Sequence, residues 1–368
     1  MPLTEGNDIM AKKIIIRSFR NTDYSQIFNV WENSTYHNTW GDFTSDDFYA
    51  QVLGSLLFDP EYFILAVEHD DTQKYHFGMD GTPVGFVHGG FAPNADRTGI
   101  DPSEGHIAML VVREPSAERD LLPKEAEEWK NRIRQMLLTA IERKFAERGI
   151  RRVFAGADYP NAPFYYGLLK GGEPNGILEN DECLCPLFKA NGYVPVKHNV
   201  VFSATVDHMP GAIFILQNLM IYQESVKRPK LVQNVSWWDQ CARASLSTER
   251  YTLIHVPNQK VLGSIMVTSR SDVRETNHYS LHNLNILEPY RKLNYAKLFM
   301  NMLYRRLYSR YKRPFSVELT IPEENLAAQK TFRSTHFFMP NGKKKEFYEE
   351  RYCVFQRELP EGFLKKGT

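Results

Sequence analysis

Apolar residues along this chain follow two spacings, a period of two that is typical of strands and a period near 3.6 that is typical of helices. In the first half, the pattern predicts strands at 13–17, 63–67, 83–88, 106–112, 152–157 and 198–206, and helices at 24–31, 124–147 and 186–190. In the second half, it predicts a short helix at 237–242 and strands at 251–256, 260–268, 279–287, 315–320 and 348–357. It also predicts a long helix that follows residue 296 and another helix that begins near residue 325. The two halves repeat one order of strands and helices, which indicates a duplication.

The length of 368 residues suits two domains better than a single hydrophobic core. We predict an N-terminal domain at 1–207, a connecting segment at 208–235 and a C-terminal domain at 236–368. Each domain should be α/β, with a mixed central sheet that helices flank on its faces.

The stretch from residue 279 to residue 337 is the most informative part of the pattern. An apolar strand runs into a short loop at 291–296, and a long amphipathic helix follows at once. The start of such a helix presents unpaired backbone N–H groups and a positive dipole end, which suit a pyrophosphate. Asn294 stands inside the loop, and Asn is one of the few residues that tolerate the left-handed turn expected there.

Two motifs in this stretch carry a resemblance to the GCN5-related N-acetyltransferases. The first resembles the acyl-CoA loop Arg/Gln-x-x-Gly-x-Gly/Ala of that family, here with Arg291, Asn294 and Ala296. The second resembles the family pattern Asn-x-x-Ala-x-x-x-Tyr-x-x-x-Gly-Phe, here with Asn325, Ala328, Phe332, His336 and Phe337. Asn replaces the first Gly of the loop, Phe replaces the Tyr and His replaces the Gly of the second motif. The resemblance covers nearly the whole chain and implies two acyl-CoA N-acyltransferase-like domains.

The resemblance also implies a reaction and a site. The expected reaction is transfer of an acyl group, with acetyl as the first candidate and acetyl-CoA as its donor, to an amine on a small molecule or a peptide. The implied cofactor-binding residues are Asn285, Ile286, Leu287, Arg291, Lys292, Asn294, Tyr295, Ala296, Asn325 and Phe332. A backbone N–H within 285–287 is expected to bind the oxyanion. Glu318 or His282 is the expected catalytic base.

Substitutions at the family positions leave two other functions open. Phe332 cannot protonate a leaving thiolate as the family Tyr often does, which favours a non-catalytic sensor or partner protein that binds acyl-CoA or a metabolite. A tandem aminoacyl transferase that uses charged tRNA is the third hypothesis, and the net charge of +1 argues against it because no nucleic-acid partner is expected.

The first half departs from the family at its own phosphate loop. Residues 113–123 form a long acidic segment without Gly, in which Glu114 and Glu118 should repel a pyrophosphate. We therefore predict a degenerate acyl-CoA site in this half. Asp158-Tyr159 and Tyr165-Tyr166 follow its last inner strand, where they can line a crevice or be ordinary loop residues.

Composition narrows the class of protein. Hydrophobic residues make up 42% of the chain and charged residues 24%, as in soluble globular proteins. We see no secretory signal and no run of roughly 20 apolar residues, so we expect no membrane span and a cytoplasmic location. The four cysteines agree with reduced thiols, and the spacing of Cys183 and Cys185 is too short for a zinc knuckle, so no metal site is expected.

Overall fold

The structure, a computed structural model, describes most of the chain in eleven stretches. These are residues 13–34, 44–69, 80–119, 121–156, 158–169, 172–207, 218–225, 236–270, 278–312, 314–336 and 347–366. Among the described residues, no helix is both long enough and apolar enough to cross a membrane.

The predicted elements are present, and most strands are longer than the sequence pattern indicates, whereas the strand predicted at 152–157 is shorter and ends at Ala155. The strands are Lys13–Ser18 (β1), Phe63–His69 (β2), Thr82–Pro93 (β3), Ile100–Val112 (β4), Arg152–Ala155 (β5), Ile177–Leu178 (β6), Val194–Val206 (β7), Leu219–Ser225 (β8), Leu246–His255 (β9), Lys260–Arg270 (β10), His278–Ile286 (β11), Phe315–Pro322 (β12) and Phe347–Glu358 (β13). The α-helices are Tyr24–Glu32 (α1), Ser45–Phe48 (α2), Pro123–Glu147 (α3), Leu184–Ala190 (α4), Trp237–Ala242 (α5), Tyr295–Tyr311 (α6) and Leu326–His336 (α7).

One mixed sheet runs through both halves of the described chain. Its strand order is β1-β2-β3-β4-β5-β13-β7-β12-β11-β10-β9-β8, and β6 pairs with β13 beside this path. Neighbouring strands are antiparallel except for β4 with β5 and β11 with β12, which are parallel. Each half therefore contains one parallel pair at the same place in its order of elements, as the duplication predicts.

The two halves exchange their last strands. β13 ends the chain but pairs with β5 of the first half, with Phe355 opposite Ala155. β7 belongs to the first half in sequence but pairs with β12 of the second, with Phe202 opposite Leu319. The exchange extends to the cores, because Phe355 packs among buried residues of the first half and Phe202 among those of the second. The domain boundaries at 207 and 236 stay predictions. In the structure, each of the two folded units includes one strand from the other half of the chain.

Strand β8 lies within the segment that the sequence analysis treats as a connection. It pairs with β9, and Leu219 and Ile221 pack against the core of the second half while Met220 is exposed. This alternation is the period of a strand with one buried face. Residues 208–217 and 226–235 lie outside the described residues.

Helices α3 and α6 cover the sheet with the stripes that the sequence predicts. Ile133, Leu137 and Ile141 of α3 are buried in the first half. The equivalent stripe of α6 consists of Phe299, Met300, Leu303 and Leu307. Gly149 follows α3 with a φ of 83°, which confirms it as the left-handed residue at the end of that helix.

The irregular stretches 158–169 and 172–176 are packed between the halves. Tyr165 lies in a core of the first half, and Tyr166 packs against Ala242 and Leu246 of the second. At Gly172, with φ of 68°, a Cβ atom would meet the Ser280 hydroxyl at 2.0 Å, so only glycine fits against β11 there. The polar face of β11 is therefore closed by a segment of the first half.

Candidate functional site

A cleft opens in the second half where β11 and β12 diverge. The two strands pair in parallel only from His278 with Ser316 to Ser280 with Glu318. Beyond that point β11 follows β10, with an irregularity in register next to Asn283, whose φ is 52°. The gap between the diverging strands leads to the starts of α6 and α7.

The outer part of the cleft is a cavity of about 680 Å³. It is lined by Leu284, Asn285, Ile286, Tyr290, Arg291, Lys292, Asn294, Tyr295, Ala296, Lys297, Asn325, Ala327, Ala328, Lys330 and Thr331. Four of these residues are cationic, namely Arg291, Lys292, Lys297 and Lys330, and no carboxylate is among them. The lining therefore has a strongly positive potential, which suits a polyanionic ligand.

The start of α6 forms one wall of the outer cavity. Its first intrahelical hydrogen bond runs from the Leu298 N–H to the Asn294 carbonyl oxygen, 3.1 Å away, so the preceding amides of 295–297 have no partner within the helix. No side chain caps this end of the helix, and Asn294 takes the left-handed conformation with φ of 63°. The expectation of a left-handed Asn in this loop is thus confirmed. Arg291 braces the loop, because its Nε donates to the Ile286 carbonyl oxygen at 2.9 Å.

A second, inner cavity of about 250 Å³ continues from the first between the two strands. It is lined by Ile265, Leu281, Asn283, Leu284, Met300, Leu319, Thr320, Ile321, Pro322, Asn325, Ala328, Thr331 and Phe332. The two cavities share Leu284, Asn325, Ala328 and Thr331. A cationic entrance therefore leads into a narrower, mainly apolar space.

The structure brings most of the predicted cofactor-binding residues to these two cavities. Asn285, Ile286, Arg291, Lys292, Asn294, Tyr295, Ala296 and Asn325 line the outer one, and Asn325 and Phe332 line the inner one. Leu287 lies outside both linings, and its N–H donates to the Leu262 carbonyl oxygen at 2.9 Å. Within the predicted range 285–287, the Leu287 amide is thus already engaged and is a poor oxyanion donor.

Phe332 is buried and fills part of the inner wall. Its ring packs on Phe202 of the exchanged strand β7, with ring centroids 5.4 Å apart. The second family motif also includes His336 and Phe337. His336 ends α7, whereas Phe337 lies outside the described residues.

The predicted base His282 is held by a carboxylate of the first half. Its Nδ1 lies 2.9 Å from Oε1 of Glu173, which also pairs with Arg243 at 2.6 Å. Burial raises the pKa of Glu173, but the attraction of His282 and Arg243 outweighs burial and holds that pKa below its ordinary value of 4.5. Both ring nitrogens of His282 are buried, and neither makes a hydrogen bond of regular geometry among the described residues, so the contact with Glu173 is one of charge and distance. The arrangement resembles an imidazole that a carboxylate orients for proton transfer.

The other predicted base, Glu318, lies on the same face of the sheet as His282, away from α6. It is buried and accepts a hydrogen bond from the Ser203 hydroxyl on β7 at 2.7 Å. Neither His282 nor Glu318 lines the two cavities directly. Their sequence neighbours Leu281, Asn283 and Leu319 do line the inner cavity.

The loop of the first half that replaces the phosphate turn is engaged in ion pairs. The Glu114 carboxylate accepts from Lys130 of α3 at 2.8 Å, and Arg119 pairs with the buried Glu68. The side chain of Glu118 lies outside the described residues. A degenerate acyl-CoA site in this half stays a prediction.

The candidate crevice residues of the first half are enclosed at the junction. Asp158, Tyr165 and Tyr166 are all buried, and Asp158 is paired with Lys197 of β7. Their role in the described structure is packing and charge pairing between elements. Among the described residues, no group of three or more His, Cys, Asp or Glu side chains could hold a metal ion.

Sequence reasoning missed two cations and one hydroxyl of the site. Lys297 and Lys330 line the outer cavity, three residues after Asn294 and five after Asn325 respectively. Residues in the first two turns of α6 and α7 line the same cleft, and that signal was available in the motif spacing. Thr320 lines the inner cavity and carries no motif signal.

No family model matches the sequence, and no curated protein matches it either. Solved structures do match. One is a GCN5-related N-acetyltransferase from Sphaerobacter thermophilus, 11% identical, which aligns over 94% of this chain and 95% of its own with a TM-score of 0.57. Another is a tandem GNAT protein from the clavulanic acid biosynthesis pathway, 12% identical over 94% of this chain and 98% of its own, with a TM-score of 0.57.

A third similar structure is the glucosamine N-acetyltransferase region of a fungal multi-domain β-N-acetylglucosaminidase. It is 12% identical and aligns over 95% of this chain and 38% of its own, with a TM-score of 0.59. At these identities the likeness concerns the fold, and it extends over nearly the whole chain. The chain therefore has the fold of a tandem GCN5-related N-acetyltransferase.

Proposed function

We propose that the second half binds an acyl-CoA, acetyl-CoA first, and transfers the acyl group to an amine on a small molecule or a peptide. The observation that carries the proposal is the pair of connected cavities at the start of α6. A cationic entrance without carboxylates leads there into a mainly apolar space between two diverging strands. A CoA thioester has the same order of parts, with phosphates at one end and an uncharged acyl arm at the other.

The phosphates are assigned to the outer cavity. The uncapped amides of 295–297 point out of the start of α6 and favour an anion. Lys292 and Lys330 approach the same space from the loop and from α7. Each charge-assisted hydrogen bond to a phosphate is worth about 1.5–3 kcal/mol.

The acyl arm is assigned to the inner cavity, where Leu281, Met300 and Phe332 supply apolar walls. The thioester would then lie near the point at which β11 and β12 separate, and His282 would approach it from the face of the sheet that is away from α6. In this arrangement Nε2 of His282 takes the amine proton, and Glu173 stabilises the imidazolium that forms. Glu318, which already accepts from Ser203, is the second candidate base.

Non-catalytic binding of acyl-CoA is the competing function, and two observations favour it. Phe332 has no hydroxyl to protonate a thiolate, and both candidate bases are buried and paired. Binding with no turnover of any amine would favour this function.

Calorimetry with acetyl-CoA tests binding, and release of free CoA thiol with a panel of amines tests transfer. Lys330→Ala should weaken binding about tenfold to hundredfold because it removes one charge-assisted contact. Lys124→Ala is the matched control, since Lys124 is an exposed lysine of the first half. If the parent does not bind acetyl-CoA, or if the two variants bind it equally well, the assignment of the outer cavity is wrong.

A further inference from the structure

The inner cavity contains one hydroxyl that the described structure leaves unused. Thr320 lies on β12, two residues beyond Glu318, at which the pairing with β11 stops. Thr320 is one of the residues that line the cavity, and its Oγ1 is buried with no hydrogen-bond partner among the described residues. Buried hydroxyls are nearly always hydrogen-bonded in folded proteins, so an unused one on a cavity wall points to a ligand or a bound water.

Other polar side chains around this cavity already have partners. The Thr331 hydroxyl donates to the Ala327 carbonyl oxygen at 2.9 Å. The Asn325 side-chain oxygen accepts from the Ala328 N–H at 3.1 Å, where it caps α7. Asn283 directs its side-chain nitrogen at the sulfur of Met266, 3.8 Å away. Thr320 is thus the lining residue, among those described, whose hydroxyl is both buried and uncommitted.

We propose that the Thr320 hydroxyl donates a hydrogen bond to the carbonyl oxygen of the acyl group and so makes the site prefer acyl-CoA over free CoA. The inference rests on the proposed function, because it assigns the acyl arm to the inner cavity. An acyl carbonyl there needs a donor, and the amide of Leu287 is occupied by Leu262. A hydroxyl can donate, and in mainly apolar surroundings such a bond is stronger than in water.

This geometry gives Thr320 a role in selecting the ligand. A site that is built to hydrogen-bond one group of a ligand discriminates against the analogue that lacks it, because the buried polar group is then left unpaired. Free CoA has a thiol but no carbonyl. It should therefore bind in the same outer cavity without using Thr320.

Thr320→Val tests the proposal, because Val has nearly the same shape and lacks the hydroxyl. Calorimetry should show that the variant binds acetyl-CoA roughly three- to tenfold more weakly than the parent, while its affinity for CoA is unchanged. Thr331→Val is the matched control in the same cavity. Its hydroxyl is already used by Ala327, so its loss should not change the ratio of the two affinities.

Two further measurements distinguish a hydrogen bond from a change of packing. Thr320→Ser keeps the hydroxyl and should keep the preference for acetyl-CoA, which also covers the case in which Thr320→Val does not fold. With acetyl-CoA labelled with ¹³C at the carbonyl, the infrared band of the bound thioester should lie at lower frequency in Thr320→Ser than in Thr320→Ala.

The outcomes distinguish a failure of the proposed acyl-CoA binding from a failure of the role of Thr320. If the parent binds neither acetyl-CoA nor CoA, the proposed function fails and the role of Thr320 fails with it. If the parent binds both ligands but Thr320→Val keeps the parental ratio of affinities, only the role of Thr320 is overturned. An equal carbonyl frequency in the Ser and Ala variants would overturn it in the same way.

Discussion

Replacing Asn294 with valine tests the loop at the start of α6. Asn294 is left-handed, with φ of 63° and ψ of 8°, and its side chain makes no capping hydrogen bond. This conformation costs an ordinary L-residue roughly 1–2 kcal/mol. Asn tolerates it better than most residues, and a β-branched residue tolerates it worst. Asn294→Val should therefore raise the free energy of the observed loop by about 1–2 kcal/mol.

This free energy should be measured either as a loss of stability or as a loss of binding, depending on the conformation of the loop without ligand. If the loop keeps its conformation without ligand, the free energy of unfolding falls by about 1–2 kcal/mol and binding is unchanged. If the loop relaxes without ligand, acetyl-CoA must restore it, and Kd rises about 5- to 30-fold because each 1.4 kcal/mol is a factor of ten. In either case, the losses of stability and of binding free energy should add up to the same total.

Denaturant unfolding and calorimetry with acetyl-CoA measure the two losses on the same samples. Leu293→Val is the first control, because that neighbouring side chain is 58% exposed and its backbone is not left-handed. Asn294→Gly is the second control, since glycine accepts the left-handed conformation, and it should bind acetyl-CoA as the parent does. The reasoning is refuted if Asn294→Val matches the parent in both measurements, or if the combined loss of stability and binding in Asn294→Gly equals that in the Val variant.

Three further predictions concern the missing acid at Phe332, the buried carboxylate of Glu173 and the exchanged strands. Phe332→Tyr should increase CoA release with an amine acceptor, by up to the 10²–10⁴-fold that general-acid help is typically worth; an active parent with unchanged rates in the variant would show that this position is not the acid site. Glu173→Gln should lower the free energy of unfolding at pH 7 by about 3–5 kcal/mol, because it removes one of the two carboxylates that pair with the buried Arg243 guanidinium and the only carboxylate described beside His282. The pKa of Glu173 is lowered by folding, so its contribution is complete above the ordinary value of 4.5 and is lost as the pH falls through the folded value. The gap to the parent in denaturant unfolding should thus narrow at acidic pH, and a gap that is independent of pH contradicts this reasoning; Glu358→Gln, on an exposed ion pair, should change stability by less than about 1 kcal/mol at either pH. Finally, chains 1–207 and 208–368 expressed apart should not fold separately but should give folded protein when combined, since each supplies a strand to the core of the other; cooperative unfolding of either chain alone, measured by circular dichroism, would contradict the exchange.

The sequence by itself determined the local elements and the loop chemistry of the site. The strand predicted at 279–287 is β11, the following helix is α6, and Asn294 is left-handed between them. The two-domain α/β expectation is confirmed by the fold and by its solved neighbours. These features are readable because periodicity and turn conformation depend on residues that are close in sequence.

The tertiary structure alone decided which strands pair and which polar side chains are buried together. β7 and β13 both have the residue composition of ordinary strands, and nothing in either segment identifies the half in which it packs. The partnership of His282 with Glu173 and the enclosure of the Thr320 hydroxyl likewise depend on residues distant in the chain. A pattern along the sequence records which face of an element is apolar, but the identity of its partner depends on the packing of the complete fold.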